Sequence, residues 1–186
     1  VYLKLRWTNK LKYKETVDSI GEELGRLYST FSKLAKKNIN KISKLEVISD
    51  VSKVTPDGAV GLFYPEKNII RLAGKNFANK RPALRFNEFS VGKDANSILR
   101  HEYGHNIYYS SVQDSRVWDA FYKEKGGDYF KKNISLYGST NKEEAFAETF
   151  AAYTSPLYGK PIVKGKYLLM PEEIEKVMEQ IIGKRL

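Results

Sequence analysis

NSILRHEYGHNIYY, residues 96–109, carries both histidines of this 186-residue chain, His101 and His105, with Glu102 directly after the first. On a helix, positions i and i+4 stand one above the other on a single face. The two imidazoles can therefore aim ring nitrogens at one point. Glu102, turned by about 100° from His101, reaches that point from the side. Two histidines placed at random in such a chain fall four apart about once in a hundred arrangements, and a glutamate at the second position lowers this to about one in a thousand. The plain alternative is a surface helix with two solvated histidines and a salt-bridging glutamate. Ile98, Leu99 and Tyr108 make the segment too apolar for that, so the spacing favours a metal site.

HExxH is the pattern in which two histidines hold zinc and the glutamate handles protons in zinc peptidases. A catalytic zinc takes three protein ligands and leaves a fourth position to water. The longer pattern with a third histidine needs Gly at 108 and His at 111, where this chain has Tyr108 and Ser111. With no further histidine and no cysteine, the third ligand must be a carboxylate from another element. Asp114, Asp119, Glu124 and Asp128 lie on or beside one charged helix and read as a solvated face. Glu172, Glu173, Glu175 and Glu179 do the same on the terminal helix, where acids near the N-terminus suit the helix dipole.

Glu143, Glu144 and Glu148 differ, because KEEAFAETFAAY (142–153) is rich in Ala and Phe. Glu144 and Glu148 share a face and Glu143 is offset toward solvent. Two carboxylates on an apolar helix face need a cation or hydrogen-bond donors. Zinc on Glu144, with Glu148 holding the other N–H of a ligand histidine, answers both needs. The exchanged assignment is the alternative.

Outward from this pair of segments, ETVDSIGEELGRLYSTFSKLAKKN (15–38) places Val17, Ile20, Leu24, Leu27, Tyr28, Phe31, Leu34 and Ala35 at helical spacing. KLEVIS (44–49) reads as a strand. AVGLFYPEKNIIRLAG (59–74) reads as a hairpin, with Val60, Leu62 and Tyr64 alternating, PEKN turning the chain and Ile69 to Leu72 returning. Arg81-Pro82 suggests a loop that leads to an edge strand near Leu84 to Val91. Helices follow from about Asp94 to Tyr109 with Asp94 or Asn96 as cap, over SRVWDAFYKEKGG ended by Gly126-Gly127, from Thr140 or Asn141 to Ser155-Pro156, and over PEEIEKVMEQIIG. Trp7 and Trp118 read as core or groove aromatics, with core favoured, and Gly104 either lets a neighbouring chain approach closely or is simply tolerated. The order of elements predicts an α+β fold: a small mixed sheet, a helix carrying HExxH, and a mostly helical C-terminal lobe.

An apolar fraction of 41% argues for a folded chain, and its length for one domain over 1–186. The lobes divide at about residue 110. The opening VYLKLRWTNK, with neither initiator Met nor a charged-then-apolar leader, reads as a processed product or part of a longer polypeptide. No apolar run is long enough to span a membrane. Absence of cysteine removes disulfides, thiolate ligands and cysteine nucleophiles together. The net charge of +10 favours acidic partners. The basic residues are scattered (Lys10, Lys12, Lys14; Lys36, Lys37, Lys41; Lys80, Arg81; Lys131, Lys132; Lys184, Arg185), which fits a solvated surface better than a nucleic-acid face.

HEYGH followed by SLYGSTNKEEAFAETFAAY (135–153) resembles the catalytic domain of anthrax lethal factor and its relatives, including the Pro-Pro endopeptidases. The similarity runs from about Ile98 to Tyr153, a third of the chain. It implies a zincin-like fold, a gluzincin-type zinc metalloendopeptidase with one Zn²⁺ per chain on His101, His105 and Glu144, Glu102 as base, Glu148 supporting a ligand, and Tyr137 as an active-site tyrosine that stabilises the oxyanion. It further implies a protein or peptide substrate, with acidic segments favoured by the chain's charge, and a secreted, toxin-associated or phage-associated setting. The Leu84–Val91 strand is expected either to bind substrate as an added strand or to be an ordinary sheet edge guarded by Lys80, Arg81 and Arg85. The rival reading is a retired zincin-like domain that works as a basic binding or assembly module, which the presence of Glu102 disfavours.

Overall fold

The computed structural model describes residues 2–6, 14–34, 42–48, 59–73, 84–113, 116–163 and 166–184. Trp7, the Arg81-Pro82 step and Asp114 lie outside these residues. The architecture is α+β, as the element order predicts. Four strands, β1 (Tyr2–Arg6), β2 (Lys44–Ile48), β3 (Gly61–Tyr64) and β4 (Ile69–Ala73), form a mixed sheet in the order β1-β2-β4-β3. β1 and β4 run parallel to β2, and β3 is the antiparallel edge. β1 is too short and too evenly mixed in polarity for its sequence to announce it.

Across β2, β4 and β3 the large buried apolar side chains share one face. Leu45 and Val47 of β2 stand opposite Ile70 and Leu72 of β4, with Phe63 of β3 opposite Ile70, and all five are buried. The hairpin alternation read in the sequence therefore marks the outer face. Leu62 pairs with Arg71, and the Arg71 guanidinium lies 5.0 Å over the Tyr64 ring. On that face Glu46 is held by Lys44 at 2.5 Å and Arg71 at 2.8 Å. The inner face shares a continuous core with α1 (Lys14–Leu34), through Ile20, Leu24, Leu27 and Phe31. Full burial of each such side chain contributes roughly 1.5–3 kcal/mol.

Helix α2 (Ala95–Ile107) starts at Asp94, whose carboxylate accepts from Asn96 N and Ser97 N at 3.1 Å, so Asp94 is the cap and Asn96 lies inside. It runs on into a π-helical turn, Tyr108–Val112. α3 (Arg116–Asn133) is interrupted at Gly126 (φ 73°, ψ 170°) and resumes, so the predicted stop is a kink. Trp118, in its first turn, is fully buried. A single 3-10 turn, Tyr137–Ser139, precedes α4 (Lys142–Tyr153), capped by Asn141. A two-stranded ribbon, β5 (Pro161–Val163) and β6 (Lys166–Tyr167), and α5 (Glu172–Ile182) complete the described chain. Among the described residues, no helix is long and apolar enough to cross a membrane.

The predicted edge strand at Leu84–Val91 is not a strand of the sheet. It is a loop closed by Arg85 N donating to Val91 O, and its middle lies beside residues 134–137 through Asn87 N to Ile134 O, Leu136 N to Glu88 O and Tyr137 N to Phe89 O. Its backbone groups are spent on that neighbour, which leaves β3 as the sheet edge nearest α2.

A buried ion network ties α1 to α2 and to the end of α4. Arg100 Nη1 donates to Glu23 at 2.8 Å, Nη2 to Ser97 Oγ and Nε to Ala151 O, while Arg26 makes two bonds to Glu23 and one to Thr154 O. Burial works to raise the Glu23 pKa, but the two guanidinium groups outweigh it and hold the carboxyl below its ordinary 4.5. With the folded pKa below the unfolded one, this stabilisation is present above about pH 4.5 and fades as pH falls through the folded value. Glu23→Gln is expected to cost about 3 kcal/mol at pH 7, because Arg100 stays buried. It should also flatten the acid limb of stability. Urea midpoints at pH 7 and pH 3 check both; an unchanged difference between wild type and variant at the two values would refute the linkage.

Candidate metal centre

Two helices build the site, and small residues let them meet. A Cβ at Gly104 of α2 would lie 3.0 Å from Ala147 Cα and 3.2 Å from Phe150 Cβ of α4, so only glycine allows this approach without a shift. The Asn141 side chain accepts from Glu143 N and Glu144 N at 3.0 and 2.8 Å, which sets Glu144 in the first turn facing α2.

Across that contact, His101 Nε2 and His105 Nε2 are 3.1 Å apart, and Glu144 Oε2 is 3.1 Å from the first and 3.3 Å from the second. His101, His105 and Glu144 are thus a group that could hold a metal ion, the one such group among the described residues. A four-coordinate ion with ligands at about 2.0–2.1 Å keeps neighbouring ligand atoms roughly 3.3–3.4 Å apart. The three measured edges fall within a few tenths of an ångström of that. Glu144 Oε2 is buried and has no well-aligned hydrogen bond despite the two close nitrogens. The three atoms converge at ligand-to-ligand spacing, with one hydrogen bond between the two imidazoles and Glu144 Oε2 left over, so the donor set fits a cation.

Glu148 behaves differently. Its Oε1 meets His101 Nδ1 at 2.8 Å and Ser90 Oγ at 3.1 Å; its Oε2 accepts from Val91 N at 2.8 Å and Ser135 Oγ at 2.7 Å. Three donors and the Ser90 hydroxyl, whose one proton is shared with Gly92 O at 3.1 Å, surround one carboxylate. With Nδ1 donating to Glu148, loss of the second ring proton to a bound cation would leave the His101 Nε2 lone pair facing the group. Sequence reasoning missed Ser90, Val91 and Ser135, since a backbone amide and two serines on loops carry no spacing signal.

Glu102 is buried at 5% exposure beside edge strand β3. A Cβ at Gly61 would lie 2.5 Å from Glu102 Oε1 and from Ile98 Cγ2, so glycine there makes room for the carboxylate. Burial raises the Glu102 pKa above its ordinary value, against the opposing effect of the two histidines. Burial disfavours a charged His101 too, but Glu144 and Glu148 overcome it and the pKa rises well above 6.5. Glu144 moves down, as contacts with His101 and His105 outweigh the burial that works against its charge.

The Tyr137 ring lies stacked on His101, 5.6 Å between centroids, and its hydroxyl donates to Glu144 Oε1 at 3.3 Å. Burial, then the neighbouring carboxylates, raises its pKa, so it is a donor across the ordinary pH range. Glu143 is half-buried and accepts from Tyr109 Oη at 2.5 Å, where a solvated residue was expected. The structure therefore brings His101, Glu102, His105, Tyr137, Glu144 and Glu148 to one place. No protein-family profile matches the chain, and no curated protein is significantly similar to it.

Proposed function

We propose that the chain is a zincin-like zinc metalloendopeptidase domain of the lethal factor type, with His101, His105 and Glu144 as the ligands of one Zn²⁺. The observation that carries this reading is the convergence of Nε2, Nε2 and Oε2 at 3.1–3.3 Å with buried Glu102 alongside. A zinc ion in such a site supplies Lewis acidity and lowers the pKa of a coordinated water to about 7.

The protein's own groups do the rest. Glu102, with its raised pKa, accepts the proton of the attacking water and passes it to the leaving amine. Tyr137 Oη donates to the oxyanion that develops on the scissile carbonyl. Glu148 keeps His101 in one tautomer and one orientation. The substrate path follows the edge of β3. In the antiparallel pair with β4, Ala73 N donates to Val60 O, which makes 60–73 a hydrogen-bonded pair and turns the backbone groups of Gly61 and Phe63 away from the sheet. The Phe63 amide already meets the Glu102 carboxylate, so an extended peptide added at this edge would lie beside Glu102.

Zinc titration by calorimetry is expected to give one site per chain. The loaded protein should cleave a peptide library, lose that activity to a chelator and regain it with zinc. Failure to bind one equivalent would remove the reading, and one equivalent without cleavage would reduce it to a metal-stabilised scaffold.

A further inference from the structure

Three large apolar side chains are conspicuously exposed among the described residues: Phe89 at 61%, Leu136 at 45% and Leu169. Two of them line the same surface cavity of about 520 Å³, together with Asn87, Glu88, Asp128, Lys131 and Lys132. The cavity walls are not independent loops. Leu136 N donates to Glu88 O and Tyr137 N to Phe89 O, both at 2.8 Å, so Phe89 and Leu136 are held on two paired segments. Two exposed apolar side chains brought together on a firmly fixed backbone suit a surface that meets a partner.

A stack of rings links one wall of the cavity to the metal centre. One face of the Phe89 ring stacks on Tyr137, 5.6 Å between centroids and 22° between planes, and Tyr137 stacks in turn on His101 at the same spacing. An extended chain rises about 3.3 Å per residue, so a bound strand covers these two ring steps in about three residues. Charge points the same way. Glu88 is already matched by Arg85 at 3.0 Å and Lys93 at 3.3 Å, whereas Lys131 and Lys132 are exposed and make no ion pair among the described residues. Asp128 is the one acid left in the lining. The C-terminal turn of α3 favours two lysines through its dipole, but it does not account for two apolar side chains beside them.

Resting on the peptidase reading above, we infer that this cavity is the subsite that selects the substrate. It takes a large apolar side chain about three residues from the scissile bond, packed on Phe89 and Leu136, with acidic neighbours set against Lys131 and Lys132. The preferred substrate is an extended acidic segment carrying one aromatic or leucine residue.

The test uses two short fluorescein-labelled peptides that share a central phenylalanine and differ only in aspartates or lysines beside it. Binding is followed by anisotropy and cleavage by chromatography, with zinc-loaded wild type and the Lys131→Glu/Lys132→Glu variant. Wild type is expected to favour the acidic peptide by about tenfold, and the variant to reverse the preference, as expected for two exposed charge contacts. Leu136→Asp should weaken binding of both peptides. Equal binding of the two peptides by wild type, or a preference unchanged in the charge-reversed variant, would overturn the subsite even if cleavage is brisk. A preference that reverses while neither peptide is cut would keep the subsite and sink the hydrolytic reading instead.

Discussion

Glu102→Gln is expected to lower kcat/KM for a cleaved peptide by roughly 10²- to 10⁴-fold, the range for loss of a general base, while one equivalent of metal stays bound. The substitution is isosteric, so packing against Gly61 and Ile98 is preserved. Glu102 is also outside the triangle of His101, His105 and Glu144, which leaves the donor set intact. What is removed is the single basic oxygen pair that burial has tuned upward beside the site. Elemental analysis and kinetics on the same preparation separate the two consequences. Activity within a few-fold of wild type would show that another group moves the proton. Loss of metal together with activity would show instead that Glu102 helps to hold the ion.

How much of this could be read from the residues alone differs between fold and site. The helices were legible because burial imposes a 3.6-residue period on Ile20, Leu24, Leu27 and Phe31, and because Asp94 and Asn141 are strong caps. The sheet was less so. Nothing local told Phe63 from its neighbours Leu62 and Tyr64, since the inward side was decided by register with Ile70 and by the room Gly61 leaves for Glu102. The loop at 84–91 has a strand-like sequence, and its backbone pairs with residues 134–137 instead of the sheet. That partner lies about fifty positions away, beyond any pattern in one segment.

The site residues were legible for a different reason. Ligand chemistry restricts the choice to His, Glu and Asp, and helix geometry then sorts them by spacing. The support around them was not. Ser90, Ser135 and the Val91 amide are ordinary loop groups until the fold aims all three at Glu148.

The two carboxylates that spacing alone left interchangeable are separated by their hydrogen bonds, and metal affinity should follow. Glu144 Oε2 is buried without a well-aligned hydrogen bond, whereas both oxygens of Glu148 are paired. An apparent zinc-binding free energy of about 10–16 kcal/mol spread over four ligands makes each worth roughly 3 kcal/mol, so Glu144→Ala should weaken zinc by at least about a hundredfold. Glu148→Gln keeps the shape of the side chain and still reaches His101, so its loss should stay within about 10- to 100-fold. Because binding to the folded state stabilises by RT ln(1 + [L]/Kd), the zinc-induced rise in Tm ranks the variants without any enzymatic assay. The rise should be largest in wild type, reduced in Glu148→Gln and smallest in Glu144→Ala. The reverse order of the two variants would make Glu148 the ligand, and Glu144 would then be the group that orients a histidine.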